Sequence, residues 1–474
     1  MEPLLLATAL FLLIAPGVLT AYLIVSEAAV SRLAMMVGYG TIAGLVGVPL
    51  IMRLIASMGL SVSFTNTGIG VAVVSLMLLI LAIRNGGSLV DGAGTRPKPA
   101  LTSLSDKFVL MLLLAIIAVR IGGLAVDVVW RPLFAWDATM HWATKARVWL
   151  EFVELRPFVE NADWLSSSDP TVFTDHHPAY PITIPLLQLW MTSAIGRWDE
   201  SLMNLPWLLC VVGLGAAFYG QAREAKASPI LSMVFTYFLL SMPLLNTHVA
   251  LAGYADLFLG ASYCLAVMAF HNWSVERERS QGLMAIFFAV SCVLIKNEGV
   301  FWLLTLFPAL LVVFIPGRKA LLWLLGLLVV AMGALAVFPR DWVVAGHSLA
   351  ELNLFYYPGS LRAVFDSFFL HDSWHMFAYL LVGLITSVLL FRKSALAQYK
   401  GISVALASAT GLFLFLFLFT AYSGGALRFT AVGRISLQLV PAFMFLCLLL
   451  AKDLMTAPKS GLASSDASEL STET

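Results

Sequence analysis

The chain has 474 residues, 60% of them hydrophobic and only 12% charged, with a mean hydropathy of +0.91, a balance that excludes an ordinary soluble domain. Lys and Arg number 28 against 27 Asp and Glu, with no basic run or base-stacking motif, so a nucleic-acid partner is excluded too. Cys210, Cys264, Cys292 and Cys447 lie inside apolar runs without paired spacing and suggest packing rather than disulfides or zinc.

Apolar stretches near the length needed to cross a bilayer run at 3–25, 33–58, 67–84, 108–128, 202–220, 229–246, 251–270, 283–296, 299–316, 319–338, 374–392, 400–421 and 432–451. They predict an all-α, polytopic transmembrane bundle of about thirteen helices. The first lacks a basic leader and a clean small-residue cleavage site, so it reads as a helix rather than a signal peptide. The run 181–196 is short, carries Pro181 and Pro185, and would invert every later connection if it crossed. It is predicted as a juxtamembrane helix on the outer surface.

Orientation follows from Arg84, Arg96, Lys98 and Lys107, then Arg223 and Lys226, then Arg277, Arg279, Arg318, Lys319, Arg392, Lys393, Lys400 and Lys452, all placed in the cytoplasm by the positive-inside rule. A large external loop then spans 129–201, a second spans 339–373, and the N-terminus lies outside. The predicted organisation is an N-terminal three-helix extension with its cytoplasmic loop at 1–106, a membrane domain at 107–455, and a Ser/Thr/Ala-rich cytoplasmic tail at 456–474 with nothing to pack, predicted to be disordered.

This orientation gathers Asp137, His141, His176, His177, Tyr254, Asp256, Lys296, Asn297, Glu298, Arg428 and Arg434 at the outer face. Ionisable groups at membrane depth are costly and tend to mark an aqueous site. Asp137 opens a polar stretch just past an apolar segment. Asp137, His141 and Lys145 recur every four residues beside a stripe of Trp142, Ala146 and Trp149, which predicts a helix half sunk in the interface. From spacing alone Asp137 reads equally as a helix cap or as a reactive carboxylate.

The run Arg131-Pro-Leu-Phe-Ala-Trp-Asp137-Ala-Thr-Met-His141-Trp-Ala-Thr-Lys145-Ala-Arg147 resembles the start of the first external loop of GT-C glycosyltransferases, such as lipid A aminoarabinose transferases, protein O-mannosyltransferases and the oligosaccharyltransferase catalytic subunit. His176-His177-Pro178-Ala-Tyr180-Pro181 is similar to their segment before a juxtamembrane helix, and Asn204-Leu205-Pro206 stands where their next helix begins. The resemblance covers roughly 107–451. It implies a sugar donor on polyprenyl phosphate and an outward-facing active site in the cell (inner) membrane. The acceptor would be a lipid, a glycan or a protein. Asp137 is the expected general base or acceptor-orienting carboxylate. Many members carry a second acid beside it where this chain has Ala138, which puts a two-carboxylate metal site in doubt.

A carboxylate within reach of an acceptor hydroxyl can take its proton, and fixed cations can stabilise a departing phosphate. Arg434, Lys296 and Arg428 are the cations considered, with His177 and Tyr180 shaping the cavity. Each has a plainer reading. Arg434 could snorkel to headgroups, Arg428 could be a loop arginine, Lys296 and Glu298 could pair at a turn around Gly299, and Asp256 could neutralise a cation between helices. Arg120 could meet the phosphate or Asp127. His176 and His177 with Asp175 are ordinary metal-ligand types, but adjacent histidines before Pro178 read better as hydrogen-bonding to donor or loop, and a divalent metal stays an open cofactor. A flippase or transporter, a polymerase of lipid-linked sugars and a non-catalytic scaffold compete with the transferase. The transferase reading requires Asp137, His177, Lys296 and Arg434 to line one outward-facing cavity beside a groove open to lipid.

Overall fold

The computed structural model describes residues 2–90, 103–344, 347–371 and 373–456. Arg96, Lys98, nearly all of the tail predicted to be disordered and parts of the 339–373 connection lie outside the described residues. The protein is all-helical apart from two small ladders. The first helices are α1 (Glu2–Ile24), α2 (Arg32–Ser57), α3 (Phe64–Asn85) and α4 (Leu104–Trp130). The segment from 131 to 204 holds a π-helical turn (Ala138–Ala143), α5 (Thr144–Phe152), α6 (Asn161–Ser166), the parallel pair β1 (Phe158–Val159) and β2 (Phe173–Thr174), and α7 (Thr183–Ile195). Then come α8 (Leu205–Glu224), α9 (Pro229–Leu240), α10 (Pro243–Ala250), α11 (Asp256–Glu276), α12 (Arg279–Ile295), α13 (Gly299–Leu304), α14 (Leu306–Phe314) and α15 (Gly317–Val337). After the antiparallel pair β3 (Val343–Val344) and β4 (His347–Ser348), the chain closes with α16 (Ser360–Phe369), α17 (Phe377–Phe391), α18 (Lys400–Phe419), α19 (Ser423–Leu427), α20 (Val432–Leu437) and α21 (Val440–Met455).

Among the described residues, seven helices are long and apolar enough to cross a membrane, or eight if the pair α9 and α10, bent by 59°, is one span. The other predicted spans are short, broken or more polar. Pro243 opens α10 after the bend, Pro308 removes a donor just past the break between α13 and α14, and Pro441 does the same between α20 and α21. The long helices α3, α4 and α15 carry exposed Leu, Ile, Val and Met along most of their length, the pattern of a surface solvated by lipid rather than water.

Two predictions about position are corrected. The helix α7 does not lie on the outer surface: Ile184, Leu186, Leu187, Trp190 and Met191 are fully buried against α1, α2 and α5, and Trp190 Nε1 donates to the Ala9 carbonyl at 3.1 Å. The stretch after Asp137 is helical, but it is not half immersed, because His141 and Lys145 are as buried as Trp142, Ala146 and Trp149. The first helices are also more than an appendage. α1 and α2 meet at Gly17, Gly40 and Gly44, where a Cβ on Gly17 would stand 2.0 Å from the Gly40 carbonyl oxygen, and both join the same apolar core as α8, α11 and α21.

The helices run between two ends. At one, Lys226 pairs with Glu276 at 2.6 Å and Lys452 Nζ donates to the Ala225 carbonyl at 3.0 Å, among the basic connections. At the other, Arg197 meets Glu2 at 2.8 Å and Trp207 Nε1 donates to the Tyr254 carbonyl at 2.9 Å. The polar side chains singled out from the sequence gather at this second end.

Candidate functional site

After α4 the chain runs without regular structure through 131–135 and enters a helix at Trp136. The next turn is wound as a π-helix, with the Thr144 N–H bonding back five residues to the Thr139 carbonyl, a wider turn that is frequent at functional sites. Asp137 occupies the cap position, yet its side chain caps nothing. Its Oδ2 instead accepts from Arg434 Nη1 at 2.6 Å, so the cap reading does not hold.

Arg434 belongs to a buried charge network. Its second nitrogen, Nη2, lies 3.5 Å from Asp256 Oδ2, and its guanidinium stacks over the Tyr254 ring at 4.3 Å. Asp256, the first residue of α11, is wholly buried, and its Oδ1 accepts from Lys296 Nζ at 3.0 Å and from Gln438 Nε2 at 2.6 Å. Trp302 Nε1 donates to Gln438 Oε1 at 2.6 Å, which fixes the amide's orientation. Lys296, at the break between α12 and α13, also meets Glu298 Oε1 at 3.0 Å. The plain pairing of Lys296 with Glu298 is therefore real, but it is part of a larger array. Buried charges persist where opposite charges neutralise them, as here, although Arg434 Nε and Glu298 Oε2 are buried without a hydrogen bond.

A second cluster forms where β2 runs into the segment before α7. Asp175 takes Lys145 Nζ at 2.6 Å on one oxygen, and His141 Nδ1 at 2.7 Å and the His177 N–H at 3.2 Å on the other. Burial pushes the Asp175 carboxyl up, but the hydrogen bonds from His141 and Lys145 outweigh it and bring its pKa from 3.8 to about 2. Lys145 is shifted down because desolvation of the ammonium outweighs its contacts with Asp175. Burial pushes the Tyr180 phenol above its ordinary range. The rings of His141, His176 and His177 lie face to face or tilted within 4.7–6.5 Å, and Tyr180 stacks on Trp142 at 5.3 Å.

Between the clusters lies a cavity of about 140 Å³ lined by Trp136, Asp137, His141, Trp142, His176, His177, Tyr180, Lys296 and Arg434. It is smaller than the roughly 300 Å³ at which sites for drug-sized ligands begin. Seven residues singled out from the sequence thus share one wall system. Tyr254, Asp256 and Glu298 stand directly behind it, each in contact with Arg434 or Lys296. Arg428 does not join them: it is exposed at the end of α19 and faces no part of the cavity.

Three further questions from the sequence are answered by contacts. Arg120 meets neither Asp127 nor the cavity; its Nη2 donates to the Ser241 carbonyl at 2.9 Å and its Nε to Asn246 at 3.2 Å, satisfying the break between α9 and α10, while Asp127 pairs with Arg131. Ala138 is fully buried against Gly253, whose φ of +119° favours glycine and where a Cβ would stand 2.4 Å from the Ala138 Cβ. An acid at 138 has no room. Among the described residues no group of three or more His, Cys, Asp or Glu is placed to hold a metal, and Asp175 is committed to Lys145 and His141.

Sequence reasoning did not place Lys145, Asp175, Trp136, Trp142 and Gln438 in the site. Lys145 was visible in the four-residue spacing and Gln438 lies one helical step beyond Arg434, but the reach of Asp175 to both His141 and Lys145 has no local signal. Comparison with protein-family models, with curated proteins and with solved structures finds no match for this chain.

Proposed function

We propose that this protein is a GT-C-like membrane glycosyltransferase that takes a sugar from a polyprenyl-phosphate donor and passes it to a lipid, glycan or protein acceptor at the extracytoplasmic face of the cell membrane. The observation that carries the reading is the convergence of the carboxylate Asp137 with the cations Arg434 and Lys296 in one cavity at the end opposite the basic connections. Asp137 receives the acceptor hydroxyl. Arg434 and Lys296 face the phosphate that gains charge as the sugar departs. The aromatic walls, Trp136 and the Trp142–Tyr180 stack, offer apolar faces to a sugar ring.

A flippase of lipid-linked sugars is the second reading, favoured by the bent pair α9 and α10, since broken helices are common in transporters. The two are separated by assaying sugar transfer from a panel of polyprenyl-phosphate sugars with purified protein and Asp137→Asn. Donor-dependent product lost in the variant, with folding kept, supports the transferase; donor translocation across vesicles without product supports the flippase.

A further inference from the structure

We propose that His141 is the group that finally receives the acceptor's proton, held for that role by Asp175, an assignment that rests on the transferase reading. The two residues come from separate segments and are both almost wholly buried, yet His141 lines the cavity. Its Nδ1 lies 2.7 Å from Asp175 Oδ1, and the same oxygen accepts the His177 N–H at 3.2 Å. The other carboxylate oxygen is 2.6 Å from Lys145 Nζ. Lys145 therefore balances the charge of Asp175, and the imidazole satisfies the carboxylate with one N–H. With Nδ1 turned to the carboxylate, Nε2 is the ring nitrogen left to meet the acceptor.

Asp137 offers less, because its Oδ2 is already committed to Arg434 at 2.6 Å. It suits the task of orienting the hydroxyl, while the imidazole has a free basic atom. The groups around His141 are Asp175 and Lys145 behind it, His176, His177 and Tyr180 beside it, and Asp137, Lys296 and Arg434 around the cavity. In the step, the acceptor O–H bond breaks and its proton goes to His141 Nε2. The oxygen's electron pair forms the bond to the anomeric carbon, and the bond from that carbon to the donor phosphate breaks, its electrons leaving with the lipid phosphate. The imidazolium then returns the proton to water. His141 is thus a catalytic residue, and Asp175 a positioning one.

The test compares the full chain with His141→Gln, His141→Ala and Asp175→Asn in transfer from whichever panel donor the parent uses, alongside equilibrium binding of that donor. The expected result is a kcat about 10²–10⁴-fold lower in His141→Gln with donor binding retained, the range of general-base contributions. Added imidazole should restore part of the His141→Ala rate, which a purely structural role would not allow. Asp175→Asn should lower kcat far more than it weakens donor binding. Parent-like transfer by His141→Gln overturns this assignment and leaves the transferase intact. Lost transfer without imidazole rescue and with lost donor binding also overturns it, making His141 structural. A parent that binds and transfers no donor overturns the transferase reading and this assignment together.

Discussion

Arg434 and Asp137, 297 residues apart in the chain, meet at 2.6 Å through Nη1 and Oδ2. The contact joins the segment after α4 to the last helices, and Asp256 at the head of α11 takes the other side of the same guanidinium. A planar fork is what lets one cation touch two carboxylates while stacking on Tyr254.

Lysine should not replace it. Arg434→Lys keeps the charge but loses the fork and the stacking, and hydrogen bonds to charged groups contribute about 1.5–3 kcal/mol. Donor affinity is expected to fall roughly 10- to 100-fold, read by equilibrium binding of a labelled polyprenyl-phosphate sugar. Unchanged affinity would remove Arg434 from the proposed phosphate site.

Asp256 and Lys296 are both buried and bonded at 3.0 Å, so breaking the pair leaves an uncompensated charge. Lys296→Met is expected to cost about 3–5 kcal/mol. Asp256→Asn together with Lys296→Met should cost clearly less than the sum of the single changes. Thermal unfolding in detergent measures the three; additive losses would mean the two residues do not stabilise the fold as a pair.

The depressed pKa of Asp175 carries a pH signature. A carboxyl lowered from 3.8 to about 2 contributes stability that is complete above the unfolded value and is lost as pH falls through the folded one. Unfolding midpoints recorded from about pH 5 down to about pH 2 should therefore drop, and Asp175→Asn should flatten that part of the curve while lowering stability at neutral pH.

Ala138→Asp should not build a second-acid metal site. The side chain would press on Gly253 in a space already closed, and overpacking of this kind costs about 1–3 kcal/mol before the buried charge is counted. A lowered Tm with no gain of divalent-cation dependence is expected. Arg428→Ala, at an exposed position outside the cavity, should stay within about 0.5 kcal/mol of the parent and keep its activity.

Orientation has its own measurement. The four native cysteines are buried, so a cysteine placed at the exposed Ser167 gives a clean signal with an impermeant maleimide. Labelling from outside intact cells is expected; labelling only after permeabilisation would put the cavity on the cytoplasmic side and remove the external transferase.

The sequence by itself determined the all-helical membrane class, because long apolar runs are a property of composition that no packing can undo, and it picked out Asp137, His177, Lys296 and Arg434 by the cost of placing such groups at membrane depth. It also located most helix positions, since apolar length and proline act locally. What only the tertiary structure decided was depth and partnership. The short helix at 183–195 matches a surface helix in length and proline content, and is buried because α1, α2 and α5 cover it. Asp137 pairs with Arg434 from the far end of the chain instead of capping its helix, and Asp175 meets Lys145 and His141 only because the fold brings them together. Ion pairs between distant segments depend on how helices pack, and a linear sequence carries no local period for that.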